Sequence, residues 1–487
     1  MSAARELTLG IDEGTTGVRA AVVDGSGTIV GLAYREIGQR YPSPGWVEQD
    51  PREVQSCLRE VVARALEAAN ARADDVAALG ITNQRGSAVL FEDGGAPLGP
   101  LVTWQDQRTR ERCDELMRQG AFASPYTAAS KYEWLVQNCA AGRAPGSWRL
   151  GTVDSWLAHW LTGEAHVSDH SNHSVSGVYD FLQGRYDERA LATFGLTDAR
   201  LPGFTDSSAV IGTTRPEILG AAIPVASLTG DQHAAMYGVA CLTPGNVKLS
   251  LGTSGMMDVN AGDTLSMPGP GAYPLVLWSL DGVRSYCFEG NTITAGASAQ
   301  WLRDGLGLVQ SLDELEPLAR SVESSDGVWA VPALQGLGTP YLDATARGMI
   351  GGLSRGSTKA HVARAILDGV AWRCGEVFAA LTENMAATPP ASLRVDGGAA
   401  RNDLLLQMVA DAIGVPVERP TTVESAALGA ALLAGRAVGL WRDDDVAARF
   451  RAARTFEPQL TAANRLERLD GWRKRIELVR AAGALGS

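Results

Sequence analysis

The chain has 487 residues, 45% hydrophobic and 20% charged, with a formal net charge of −12. That length exceeds one ordinary core and predicts two domains of roughly 200–250 residues in a globular protein. The negative charge offers no basic field to nucleic acid or an anionic membrane, no apolar run reaches the ~18 residues of a membrane span, and "MSAARELTLG" has no signal-peptide core.

"ELTLGI", "VRAAVVD" and "TIVGLAYRE" read as three short strands joined by glycine turns. A helix is expected from Asp50, with Pro51 at its first position and Glu53 completing a capping box. Val54, Leu58, Val61, Ala65 and Leu66 make its apolar stripe. "VAALGIT" (76–82) reads as a buried strand, "SAVLFE" as a second, and "TVDSWLAHWLTG" (152–163) as a helix closed by Gly163. Strands and helices alternate, so the class is α/β. "HVSDHSNH" brings His166, His170 and His173 into what reads as a polar loop; their spacing does not share one helical face, and zinc is the minor reading. Cysteines 57, 113, 139, 241, 287 and 374 are scattered without a C-x-x-C pair, the usage of a reduced, cytoplasmic chain.

Near residue 244 the pattern begins again. "NVKLSLGTSGMMDVN" (246–260) repeats the strand, Gly-Thr turn, strand design of residues 6–24. A long helix follows over 357–385, then strand, glycine turn and helix over 393–414. Two duplicated domains are expected, 1–243 and 244–487, with "CLTPGN" (241–246) as the crossing. The oligomeric state stays open, a homo-oligomer included.

The first turn, "DEGTTG", lacks the lysine of a Walker loop, yet its parts suit phosphate. Gly17 and its neighbours admit backbone N–H groups, Thr15 and Thr16 supply hydroxyls, and Asp12 can hold a hydrated Mg²⁺. Taken alone it reads equally well as a polar hairpin turn. The second turn, "SLGTSG" (250–255), shifts that balance, because two such turns suit a polyphosphate. In "DGGAARND" (396–403) Gly397 and Gly398 let a flat ligand lie on backbone beside a helix N-terminus, or serve a strand–helix turn alone. "LTGDQHAAMYG" (228–238) puts Asp231 and Gln232 after a strand, as a helix cap or a base. "ITNQRG" and "TWQDQR" offer Arg85 as a hydroxyl-binding donor and Trp104 as a flat wall, or as surface packing.

Together these stretches resemble the FGGY carbohydrate kinases. "DEGTTGVRA", "YPSPGWVEQDP", "ITNQR", "GTVDSWL", "GDQHAAMYG", "GASAQWLRD", "GMIGGLSRGSTKAHVARAILDGV" and "LRVDGGAARND…VERPTTVESAALGAALLAG" are similar to family segments in the same order, over nearly the whole chain. The resemblance implies two actin-like (ribonuclease H-like) ATPase domains, a substrate site in the first and ATP in the cleft between them. It implies transfer of the γ-phosphoryl group of ATP to a terminal hydroxyl of a small polyol or sugar. Glycerol is the leading acceptor and a four- or five-carbon polyol or ketose the alternative. Carried over by residue, Asp12 attends Mg²⁺; Thr15, Thr16, Gly17, Arg19 and Thr253 attend the phosphates; and Gly296, Gln300, Gly398 and Asn402 contact the nucleotide. Arg85, Trp104, Tyr126, Gln232 and Asp231 hold the acceptor, with Asp231 as catalytic base.

Members acting on glycerol carry Glu directly after the arginine, where this chain has Gly86, and an aromatic ring where it has Met256. Their loop for fructose 1,6-bisphosphate is represented only by "ILGAAIPV" (218–225), and Ala128 replaces a small hydroxyl or proline in "YTAASKYEWLVQN". Loss of a carboxylate at 86 is expected to open room for another carbon and favour a longer polyol, with Gly86→Glu restoring glycerol. A non-catalytic sugar-binding regulator is the rival; it would be expected to lose Asp12 or Asp231, and both are present.

Overall fold

The computed structural model describes residues 6–144, 146–383, 385 and 390–485. It divides into two compact units, each drawing on three stretches of chain: 1–240, 275–285 and 425–449 in the first, and 241–274, 286–424 and 450–487 in the second. Where the sequence offers one cut after residue 243, the chain therefore passes between units more than once.

The first unit is built on six strands: β1 (Leu7–Glu13), β2 (Gly17–Val23), β3 (Ile29–Glu36), β4 (Val76–Asn83), β5 (Ser208–Thr213) and β6 (Pro224–Gly230). Their order is β5-β6-β4-β1-β2-β3. β1, β4 and β6 run parallel, while β2, β3 and β5 pair antiparallel with their neighbours. The parallel strands are buried almost throughout, as expected where both faces of a sheet are covered. Helix Pro51–Ala68 buries the expected stripe of Val54, Leu58, Val61, Ala65 and Leu66. Asp50 caps it by accepting from Arg52 N at 2.9 Å. Glu53 does not close a capping box; its Oε1 accepts from Gly38 N at 3.3 Å, a tertiary bond that takes the carboxylate away from the cap.

Helix Ser425–Ala437 explains why a late segment joins the first unit. A Cβ at Gly10 of β1 or Gly80 of β4 would strike the backbone carbonyls of Ala427 and Ala430. The two glycines thus let this small-residue helix lie directly on the sheet backbone.

The segment 166–173 is not a polar loop. It forms strand Val167–Asp169 and a single turn, His170–His173. His166 Nε2 donates to Leu150 O at 2.9 Å, and His170 Nδ1 is hydrogen-bonded to Tyr179 OH at 2.7 Å. His173 packs among Tyr179, Tyr186 and Phe204, and burial pushes its imidazole down to about 3. His170 and His173 both pack on Tyr179 and Phe204, and His166 stands edge-on to Phe91, so the three rings belong to aromatic packing.

In the second unit the strands are β7 (Val247–Leu251), β8 (Gly255–Gly262), residues 286–291 of β9 (Val283–Asn291), β10 (Leu393–Asp396), β11 (Val417–Pro420) and β12 (Ala452–Phe456). They run in the order β9-β8-β7-β10-β11-β12. β7, β10 and β11 are parallel and the other pairings antiparallel. This is the pattern of the first sheet: an antiparallel hairpin and third strand, then two parallel strands beyond the first, then an antiparallel edge. Helices Lys359–Thr382 and Asp403–Ile413 pack on it with Val247, Leu249, Leu251, Leu393 and Val395 in one core. No helix among the described residues is long and apolar enough to cross a membrane.

Candidate active site

The first site assembles where parallel strands end. Glu13 of β1, Asn83 of β4 and Gly230 of β6 stand in register. The chain leaving each strand therefore emerges on one sheet edge, where open α/β sheets place ligands. From β1 comes the turn 14–16, from β4 Gln84 and Arg85, and from β6 Asp231.

Asp231 is the first residue of helix Asp231–Gly238, and the cap position belongs to Gly230. The acid is thus not the cap. Its Oδ1 accepts from Gln232 N at 2.8 Å and lies 3.4 Å from Arg85 Nε. Arg85 Nη1 is 3.4 Å from His233 Nε2. Beside them the rings of Trp104 and Tyr126 stand 6.5 Å apart at 41°. Trp104 Nε1 donates to Thr15 Oγ1 at 2.9 Å, so the wall expected to hold the acceptor is bonded directly to the turn expected to hold phosphate. The structure thus gathers Arg85, Gly86, Trp104, Tyr126, Asp231 and Gln232 with Thr15.

Asp12 and Arg19 face each other across β1 and β2, and Arg19 Nη1 donates to Asp12 Oδ2 at 3.1 Å. The carbonyl of Thr15 accepts from Gln39 Nε2 at 2.9 Å and Gln49 Nε2 at 2.7 Å. Those two bonds pin the turn from behind and leave Thr16 exposed. Gly17 presses against β3, where a Cβ would meet the Tyr34 hydroxyl at 2.6 Å.

Beneath the turn lies a polar group that sequence reasoning did not single out. Glu13 is fully buried, and Gln84 Nε2 donates to its two carboxylate oxygens at 3.0 and 3.2 Å. Gln84 Nε2 also reaches Gln49 Oε1 at 2.9 Å, while Gln84 Oε1 accepts from Ser87 Oγ at 3.1 Å and Ser87 Oγ accepts from Trp104 N at 2.9 Å. Burial holds the Glu13 carboxyl well above its ordinary value, opposed by the Gln84 bond and reinforced by Asp12 and Asp231. The only signal in the sequence was an acid in a strand that otherwise reads as buried.

Gly86 corrects an expectation. It is buried with φ 73°, and a Cβ there would collide with the carbonyl oxygen of Tyr126. The space left by the missing side chain is filled by backbone from forty residues later. The pocket is not enlarged at this point, and a glutamate could enter only by moving that backbone.

In the second unit Thr253 lies on the exposed turn between β7 and β8. Its carbonyl accepts from Ala295 N and Ala297 N, both at 3.0 Å, and Gly252 O accepts from Gly296 N at 2.9 Å. These bonds seat the start of helix Gly296–Asp304 on the turn. A Cβ at Gly296 would lie 3.7 Å from Ala399 Cβ, which brings the 397–402 turn to the same place. Gly398 and Gln300 are exposed there, and a Cβ on Gly398 would meet nothing within 4 Å. Asn402 caps helix Asp403–Ile413 by accepting from Leu405 N at 2.9 Å. Met256 is the second residue of β8, half-buried opposite Asn291.

A duplicated sheet, each copy carrying a Gly-Thr hairpin turn, and an acid–guanidinium pair at the strand ends define a phosphotransferase of the actin-like class. The chain belongs to the FGGY family of carbohydrate kinases: the family's N-terminal domain matches residues 7–238 and its C-terminal domain residues 247–438. It is 43% identical to a glycerol kinase of Bordetella parapertussis, over 98% of this chain and 97% of that one. Identity to a glycerol kinase of Deinococcus radiodurans is 41%, covering 98% of each. The crystal structure of Plasmodium falciparum glycerol kinase with ADP superposes with a TM-score of 0.89 at 26% identity, covering 97% of this chain and 98% of that one. A ligand-bound xylulose kinase of Lactobacillus acidophilus, TM-score 0.87 at 20% identity over 99% and 100% of the chains, shares the fold. The protein is an ATP-using carbohydrate or polyol kinase.

Proposed function

We propose that this kinase transfers the γ-phosphoryl group of ATP to a terminal hydroxyl of glycerol. The observation that carries the reading is the Arg85–Asp231 pair at the ends of β4 and β6, with Trp104 and Tyr126 beside it. Asp231 accepts the proton of the attacking hydroxyl, Arg85 and Gln232 hold hydroxyl oxygens, and the two rings wall the carbon chain. The glycerol kinases at 41–43% identity support the same acceptor, as does the Tyr126 carbonyl closing the space at Gly86.

Positioning and electrostatics carry most of phosphoryl transfer. Thr15, Thr16, Gly17 and Arg19 attend the transferring phosphate, with the Thr15 hydroxyl oriented by Trp104. Mg²⁺, when bound, neutralises part of the phosphate charge; the oxygen donors of Asp12 and the threonines are the hard ligands it prefers. We assign acceptor binding to residues 1–243 and nucleotide binding to 244–487, through Thr253, Gly296, Gln300, Gly398 and Asn402. All six cysteines are free thiols, which suits a reduced, cytoplasmic setting.

ADP release measured across glycerol, four- and five-carbon polyols and ketoses tests the acceptor. Glycerol is expected to have the highest kcat/KM; a higher value for a longer polyol or a ketose would displace it.

A further inference from the structure

Lys131 sits in helix Ala128–Cys139, and its side chain is fully buried. Among the described residues no carboxylate comes within ion-pair distance of it. Instead Nζ donates to the carbonyl of Pro125 at 2.6 Å and to that of Thr127 at 2.9 Å. These are the carbonyls of the two residues on either side of Tyr126. The same short stretch is held by Thr127 Oγ1 donating to Ser124 O at 2.9 Å, and by Ser130 Oγ donating to Ser124 O at 3.3 Å. On its other side the Tyr126 carbonyl lies against Gly86, directly after Arg85. Tyr126 itself is 51% exposed, so its ring is only partly packed, against Trp104.

A buried ammonium held only by carbonyls is costly, and a methionine would fill the same volume without that cost. Burial pushes the Lys131 amine down to about 7, with Asp106 the largest opposing influence. The arrangement is therefore expensive for the fold, while what it fixes is one peptide of the acceptor wall.

We propose that Lys131 is a positioning residue for the acceptor: it clamps the Pro125 and Thr127 carbonyls, one residue to either side of Tyr126, so that the ring and carbonyl of Tyr126 stand beside Arg85 and Trp104. The inference rests on the assignment of Tyr126 to the acceptor site. Lys131 touches neither substrate.

Steady-state kinetics of the full chain with glycerol and ATP test it, with melting temperatures for every variant. Lys131→Met removes both Nζ bonds and is expected to raise the glycerol KM by about tenfold or more, since each hydrogen bond to a charged group is worth at least about tenfold, and to leave the ATP KM within about twofold. Tyr126→Ala should raise the glycerol KM as well. The double variant should be no worse than Tyr126→Ala alone, because the clamp acts only through Tyr126. Equal changes in both KM values, no change in the glycerol KM, or additive effects in the double variant would overturn the clamp. If Tyr126→Ala leaves the glycerol KM unchanged, the acceptor-site assignment falls and the clamp with it; if Tyr126→Ala acts and Lys131→Met does not, the clamp alone falls. Should Lys131→Met not fold, Lys131→Gln, which keeps two N–H donors, replaces it with the same expected direction. Failure of both to fold would place Lys131 in the fold and overturn the proposal.

Discussion

At Gly86 a backbone carbonyl stands where a side chain would otherwise project. The left-handed φ and the Tyr126 oxygen together exclude any Cβ without movement of the 124–127 stretch. Gly86→Glu is therefore expected to lower kcat/KM for glycerol by roughly 10–100-fold, combining backbone strain with displacement of Tyr126. An increase for glycerol relative to longer polyols would mean that the carbonyl yields and the pocket is open. The sequence offered Arg85 and Asp231 as candidates because each follows a strand-like run, and Trp104 as a flat wall. It could not expose the neighbour of Gly86, because that neighbour is a main-chain atom placed by the path of residues 124–127. Lys131 stands in the family-like stretch "YTAASKYEWLVQN", but its two carbonyl partners are main-chain atoms that the sequence does not reveal, and Glu13 was illegible because its partner is a buried amide.

Between residue and domain, the elements show which local rules survived. Helix Val153–Thr162 ends as expected at Gly163, with φ 84°. Its first turn carries Asp154, which is fully buried and accepts from Ser168 Oγ at 2.6 Å. Burial, reinforced by the charge of Asp169, pushes the Asp154 carboxyl from 3.8 up to about 7. Because the folded value is raised, the stability contributed by the neutral carboxyl is fully present below about pH 4 and lost as pH rises to about 7. Asp154→Asn keeps an acceptor for Ser168 and removes the titration. Melting temperatures from pH 4 to 8 should show the wild type losing stability relative to the variant, by up to about 4 kcal/mol, and levelling above pH 7. Parallel curves would mean that Asp154 stays ionised. The β1–β2 hairpin carries a second prediction. Trp104→Phe keeps an apolar wall but removes the donor to Thr15 Oγ1, so the ATP KM should rise about 2–10-fold, the worth of one neutral hydrogen bond. An unchanged ATP KM would show that Thr15 needs no such orientation. The hairpin was legible as strand, turn, strand; the capping box expected at Glu53 does not form, because a tertiary partner at Gly38 takes the carboxylate.

The two sheets repeat one strand pattern, and that duplication was readable from the recurrence of the Gly-Thr turns at 14–16 and 252–254. The path of the chain was not. Residues 425–449 return to the first unit because Gly10 and Gly80 accept a helix at backbone distance, a fit that depends on two strands far away in sequence. Division of labour follows from the duplication: the first sheet edge carries the acid, guanidinium and rings, and the second carries the exposed turns assigned to the nucleotide. Asp231 is proposed to take the hydroxyl proton of glycerol during transfer from ATP, and glycerol-dependent ADP formation by the wild type and Asp231→Asn, with ATP binding measured on both proteins, tests that role. A fall in kcat of about 10²–10⁴-fold is expected, the span for loss of a general base, with ATP affinity nearly unchanged; full activity in the folded variant would remove Asp231 from the reaction.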